Sequence, residues 1–182
     1  MLPVIVYTRH DDGGVTLCTP TTEVLAWLSC GGYWPAASAA WLEEQVKRSV
    51  AAGHNELAVR RYIRAMRNGG CSTAQAYAII RDRDCGHLGT GFELWDRSDL
   101  PPRSYRDAWR RSGNGGPIRV DMAAARKVQW RRIKSAIVHH NRQRLELGRS
   151  LFRPPWLDLS RGVRRADDPE ALQRVWPAFR GA

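Results

Sequence analysis

Nine cationic side chains crowd the stretch from residue 126 to residue 153: Arg126, Lys127, Arg131, Arg132, Lys134, Arg142, Arg144, Arg149 and Arg153. After Asp121, only Glu146 opposes them. A smaller cluster, Arg60, Arg61, Arg64 and Arg67, repeats at helical spacing. Guanidinium forks pair with phosphate oxygens two at a time, and each contact releases a condensed counterion, so several on one face give usable affinity. The chemistry implied is the binding of a polyanion, a phosphate backbone above all. The plain alternative is a pair of solvated helix faces; such faces normally mix signs, and these two do not.

Other chemistry is thinner. The chain has no P-loop, nucleophile elbow or H-E-x-x-H motif, and no enzymatic activity or cofactor is expected. His139 and His140 are adjacent, so on a helix they diverge by about 100° and serve to extend the basic face. His10-Asp11-Asp12 reads as a polar turn, and Asn114-Gly115-Gly116 as a glycine turn, although each has a ligand-binding alternative. Cys30, Cys71, Cys85 and His87 are weak candidates for a metal, with no C-x-x-C pair to anchor them. Buried free thiols are the expectation. Trp34 and Trp156 sit beside prolines, where a ring either stacks on a base or packs against the body.

The elements that must position these residues follow from pattern. Leu2–Tyr7 and Val15–Cys18, separated by Asp12-Gly13-Gly14, predict a β-hairpin. Thr19-Pro20 predicts a helix start, and Gly31-Gly32 its end. A second helix is expected over Ser38–Ala52. Asn55 caps a third, whose Val59, Tyr62, Ile63 and Met66 turn inward and whose arginines turn outward. Ser72 and Gln75 form a capping box for a fourth. The third and fourth helices, meeting at Gly69-Gly70, have roughly the spacing of a helix-turn-helix, with two packed structural helices as the alternative. Gly89–Trp95 predicts a strand, Ser104–Arg111 a short helix, and Ile118–Val120 another strand. One long basic helix is expected from Asp121 to Arg153, with Met122, Trp130, Ile133 and Ile137 as its apolar stripe. Leu151–Leu159 is expected to be extended. Asp168-Pro169 opens a last helix with Leu172, Val175 and Trp176 inward.

The fold class expected is α+β and mostly helical: a small N-terminal hairpin, then helices, one of them long and basic. Residues 1–100 and 101–182 are the expected modules, with one shared core as the alternative. The 182 residues carry a formal net charge of +11, with 43% hydrophobic residues and eight Trp, which argues for a folded protein and against a disordered basic tail. No apolar run is long enough to span a membrane, and Met1–Tyr7 lacks a basic leader, so a reducing cytoplasm is expected.

Asp96-Arg97-Ser98-Asp99-Leu100-Pro101, Tyr105-Arg106-Asp107-Ala108-Trp109, Val120-Asp121-Met122 and Ala125-Arg126 together resemble small phage and prophage proteins of alphaproteobacteria. That group carries LPxRxFRDAW and VDMxxAR ahead of a long helix. Asp168–Leu172 and Val175-Trp176-Pro177 are similar to its closing segment. The group looks related to tail-fibre-assembly-type proteins, and the match covers roughly half the chain. The resemblance implies a phage setting. The Arg-rich segment from Trp34 to Asp84 and the charge of the long helix depart from the group. The expectation is a non-enzymatic phage or prophage protein that binds nucleic acid or a host nucleoprotein complex, as a regulator or an inhibitor of nucleic-acid-guided defence. The contact residues expected are Arg60, Arg61, Arg64, Arg67, Arg126, Lys127, Arg131, Arg132, Lys134 and Arg142. The alternative is a virion or tail-assembly protein that meets an acidic protein partner.

Overall fold

Val4, Ile5, Val6 and Tyr7 form an unbroken apolar run, which suits a strand covered on both faces. In the computed structural model, which describes residues 2–113 and 115–179, all four are buried in strand β1 (Val4–Arg9). β2 (Val15–Cys18) pairs antiparallel along one edge, Ile5 opposite Cys18 and Thr8 opposite Val15. β3 (Gly89–Trp95) pairs antiparallel along the other edge, with an irregularity between Val6 and Thr8, so the sheet order is β2-β1-β3. Asp12 closes the hairpin by accepting the Gly14 N–H at 2.8 Å and pairing with Arg9. The Gly14 bond is the main reason its carboxyl titrates below the ordinary range. The polar turn therefore accounts for Asp12 without a ligand.

The chain divides into two compact units: Met1–Leu100 with Arg111–Pro117, and Pro101–Arg110 with Ile118–Ala182. The first holds the sheet and four helices, α1 (Thr22–Cys30), α2 (Ala39–Ala51), α3 (Glu56–Asn68) and α4 (Thr73–Ile80), the last running into a π-turn over Arg81–Cys85. Ser38, Asn55 and the Ser72/Gln75 box cap α2, α3 and α4 as their sequence predicts. The α1 cap is Thr21, not Thr19, its Oγ1 accepting the Val24 N–H at 3.2 Å. Several hydroxyl residues stand in a row there, so residue type alone does not select among them. Ile5, Leu28, Val59, Tyr62, Met66 and Ile80 belong to the core between sheet and helices.

The exits of α1 and α3 cross backbone against backbone. Gly32 donates to the Arg67 carbonyl at 2.8 Å and Tyr33 to the Met66 carbonyl at 3.0 Å, while Gly70 donates to the Ser29 carbonyl at 2.8 Å. Only glycine permits this approach. A Cβ on Gly31 would lie 2.6 Å from the Asn68 carbonyl carbon, one on Gly69 2.5 Å from that of Cys30, and both residues have positive φ.

In the second unit, Arg103–Ala108 forms a 3-10 turn, and the chain then extends as β4 (Trp109–Arg111), whose last residue is counted with the first unit; β4 pairs with β5 (Ile118–Val120). The expected helix over Ser104–Arg111 is thus cut short, because full burial of Trp109 and the ladder to β5 replace its continuation. Asp121 caps α5 (Met122–Glu146), accepting the Ala123 N–H at 2.8 Å and the Ala124 N–H at 3.2 Å. α5 ends at Glu146, short of Arg153, and Gly148 follows at φ 65°. The segment expected to be extended contains α6 (Trp156–Arg165): Pro154-Pro155 ends the irregular chain, and Leu159 and Val163, four apart, are buried. Asp168 caps α7 (Pro169–Arg174), and Leu172 is inward, but Trp176 is exposed. The chain is α+β and mostly helical, at 55% helix and 13% strand. No helix among the described residues is long and apolar enough to cross a membrane.

Replacing Gly69 with Ala is expected to destabilise the first unit by ~2 kcal/mol or more, combining positive-φ strain with the clash. Urea unfolding followed by circular dichroism measures this; a loss below ~0.5 kcal/mol would contradict the crossing.

Candidate nucleic-acid interface

The net charge is not shared. The first unit carries eleven Arg and Lys against eleven Asp and Glu, so it is formally neutral; the second carries eighteen against seven, which is the whole +11 of the chain.

Within the second unit, α5 sorts its own cations by rotation. Ala125, Val128, Gln129, Ile133 and Ile137 are buried, while Met122 and Trp130 of the expected stripe are half-buried. That leaves Lys127, Arg131 and Lys134, at successive i, i+4 and i+7 positions, in one exposed row. None of the three has an ion-pair partner among the described residues. Arg142 lies further along this side and pairs with Glu146 at 3.2 Å. The other predicted contacts do not share the row. Arg126 is half-buried and donates to the Ala166 carbonyl at 3.0 Å. Arg132 lies about 100° round the helix from Arg131, its guanidinium 5.5 Å from the centre of the Tyr105 ring. His140 turns away as well, its ring 4.4 Å from Phe179 and 5.6 Å from Phe152, so it does not extend the basic face.

Gln129 sets that rotation. Its side chain is polar yet fully buried, and both ends of its amide are used. The Tyr105 hydroxyl donates to its Oε1 at 3.1 Å, and its Nε2 donates to the Val175 carbonyl at 2.8 Å.

Beside the row lies an aromatic pair that α6 creates. Trp130 and Trp156 meet edge to face at 5.8 Å, with Lys134 Nζ 5.7 Å from the Trp130 centroid and Trp156 exposed. Arg126, Lys127, Trp130 and Arg164 line a shallow cleft of about 270 Å³ between α5 and α6. Arg164 was missed in sequence because the stretch before it reads as extended; Trp156, Leu159 and Val163, at i, i+3 and i+7, are the signal that marks the helix. Cations, indole faces and a cleft together suit phosphates with bases beside them.

On α3 the four arginines do share the exposed face, but they are not equivalent. Arg60 forks onto Glu43 at 2.6 and 2.9 Å and reaches Glu56 at 2.9 Å, which holds the Glu43 carboxyl below its ordinary range. Arg61 comes only within 3.9 Å of Asp82. Arg64 and Arg67 are exposed and make no ion pair among the described residues. The helix-turn-helix expectation fails on α4: Ala76, Tyr77, Ile79 and Ile80 are buried, and Arg81 and Arg83 are bound to Asp82 and Asp84. At the start of that helix Thr73 and Ala74 are exposed, and Ser72 and Gln75 are engaged with each other in the capping box.

The metal candidates are not brought together. Cys30 is exposed and Cys71 half-buried. Cys85 is buried, and its interaction with the Cys18 thiol raises its titration and lowers that of Cys18. His87 packs edge-on to His54 at 4.6 Å. No group of three metal-ligating side chains occurs among the described residues. Asn114 of the glycine turn lies outside them.

Gln129→Leu leaves the buried Tyr105 hydroxyl and the partly buried Val175 carbonyl without this partner, so a loss of about 2 kcal/mol is expected in chemical denaturation. An unchanged midpoint would show that the amide does not anchor α5. Comparison of the chain with protein-family models, with curated proteins and with solved structures finds no match.

Proposed function

We propose that this is a non-enzymatic nucleic-acid-binding protein that works by occupation, its second unit lying along a phosphate backbone. The observation that carries the reading is the row Lys127, Arg131 and Lys134, free of internal acids in a unit that holds all the net charge. Three cations spaced along roughly two helical turns match a line of phosphates, and each contact releases counterions. Arg164 and the Trp130–Trp156 pair extend the same surface. Arg64 and Arg67 offer a smaller second contact; Arg60 is engaged inside the fold. The LPxRxFRDAW-like and VDMxxAR-like segments support a phage or prophage setting and a host-cytoplasmic site of action. There such a protein acts as a regulator or as an inhibitor of a nucleic-acid-guided defence complex, blocking access with its folded body.

A second reading is favoured by one feature. Val138 and Leu145, 69% and 63% exposed, lie on the same side of α5 as the cations. A phosphate backbone makes no use of them, whereas an acidic protein partner in virion or tail assembly does.

The triple variant Lys127→Ala, Arg131→Ala, Lys134→Ala is expected to lower the slope of log affinity against log salt by roughly 2–3 on duplex DNA, at about 0.9 per phosphate contact. Arg60→Ala is expected to leave it unchanged. Filter binding across a salt series reads both. No retention of the unaltered protein at low salt would overturn the nucleic-acid reading and leave the acidic partner.

A further inference from the structure

The neutral first unit carries an exposed row of aromatic rings that the charge pattern does not explain. Trp27 at the end of α1, Tyr33 and Trp34 in the segment that follows, and Trp41 at the start of α2 meet in sequence, with centroids 5.5, 4.7 and 5.4 Å apart. Successive planes turn by 59°, 62° and 67°. Trp34 packs against the core, but Trp27, Tyr33 and Trp41 remain 37%, 45% and 42% exposed. One tilted and two edge-on contacts keep the rings from stacking flat on one another and leave over a third of the surface of Trp27, Tyr33 and Trp41 in solvent, at a cost that packing does not require.

The row is held rigidly in place. The Gly31–Gly69 crossing fixes Tyr33 through its N–H to the Met66 carbonyl, one residue from Arg67. Trp41 adjoins Leu42, which with Ile63, Arg64 and Arg67 lines a groove of about 320 Å³ between α2 and α3. Glu43 on the same groove is already neutralised by Arg60, so the uncompensated charge there is the pair Arg64 and Arg67.

The geometry points to a stacking site for single-stranded nucleic acid on this unit: unpaired bases lie on the open faces of Trp27, Tyr33 and Trp41, and the adjoining phosphates on Arg64 and Arg67. A neutral sugar or a proline-rich peptide makes no use of the two arginines, and a duplex hides the base faces that stacking requires. The proposal rests on the nucleic-acid reading for its class of partner and specifies its strandedness.

The test uses the full chain with fluorescein-labelled oligo(dT), oligo(U), an abasic oligonucleotide of the same length, and a blunt duplex, followed by anisotropy. Trp41→Ala with Trp27→Ala is expected to weaken oligo(dT) or oligo(U) by about tenfold or more, and Trp41→Phe with Trp27→Phe to restore most of it. The same pair of alanines is expected to leave the abasic strand and the duplex unchanged, since those are held by phosphates alone. The oligo(dT) and oligo(U) arms separate DNA from RNA. Equal losses on the abasic strand, or no loss on either base-bearing strand, overturn the stacking site. So does absence of binding to both strands by the unaltered protein. In each case duplex retention through α5 is read independently, so the failure of one surface is distinguishable from the failure of the other. Circular dichroism of the variants confirms that the fold is intact.

Discussion

A single buried amide governs how the basic unit presents itself. α5 carries cations around much of its circumference, so which of them reach solvent depends on how the helix is rotated about its axis. Gln129 removes that freedom by accepting from Tyr105 and donating to Val175, two partners on opposite sides of it in the chain. Satisfying both ends of an amide in a closed core admits little slippage, since a turn of 100° would strand donor and acceptor alike. Lys127, Arg131 and Lys134 face outward as the complement of that constraint, while Arg126 is drawn toward α6.

The partition of charge has a further physical consequence. A neutral unit and a unit at +11 on one chain make the field of the protein strongly uneven. Long-range attraction of a polyanion is then the business of the second unit and is attenuated by salt. Whatever the first unit binds, it binds by contact. Its arginines illustrate this: Arg60, Arg81 and Arg83 are engaged with carboxylates and serve the fold, while Arg64, Arg67 and Arg97 are exposed and make no ion pair among the described residues. Rings and glycines, more than charge, distinguish this unit.

Much of the architecture was legible in residue order. β2, β3 and β5 begin and end where the pattern places them, and the Asn55 cap, the Ser72/Gln75 box, the Asp121 cap and the Asp168 cap all operate as local chemistry dictates. These signals act over three or four residues, which is why they can be read without knowing the fold. The misplacements share a cause. The helix expected over Ser104–Arg111 gave way to a 3-10 turn and a strand because Trp109 found full burial and β4 found β5. α6 was hidden behind two prolines, although its buried pair Leu159 and Val163 is spaced for a helix. The single basic face expected on α5 treated every cation as exposed, and burial of the stripe around Gln129 decided otherwise.

By itself, then, the order of residues determined most of the secondary elements and caps and the total charge, since propensity, hydrogen-bond reach and charge are properties of near neighbours. Only the tertiary structure decided which arginines are free and which are spent on acids seventeen residues away, as Arg60 is on Glu43. It alone gathered Trp27, Tyr33, Trp34 and Trp41 into one row. Such pairings depend on which surfaces the core buries, and that is settled by packing between elements far apart in the chain.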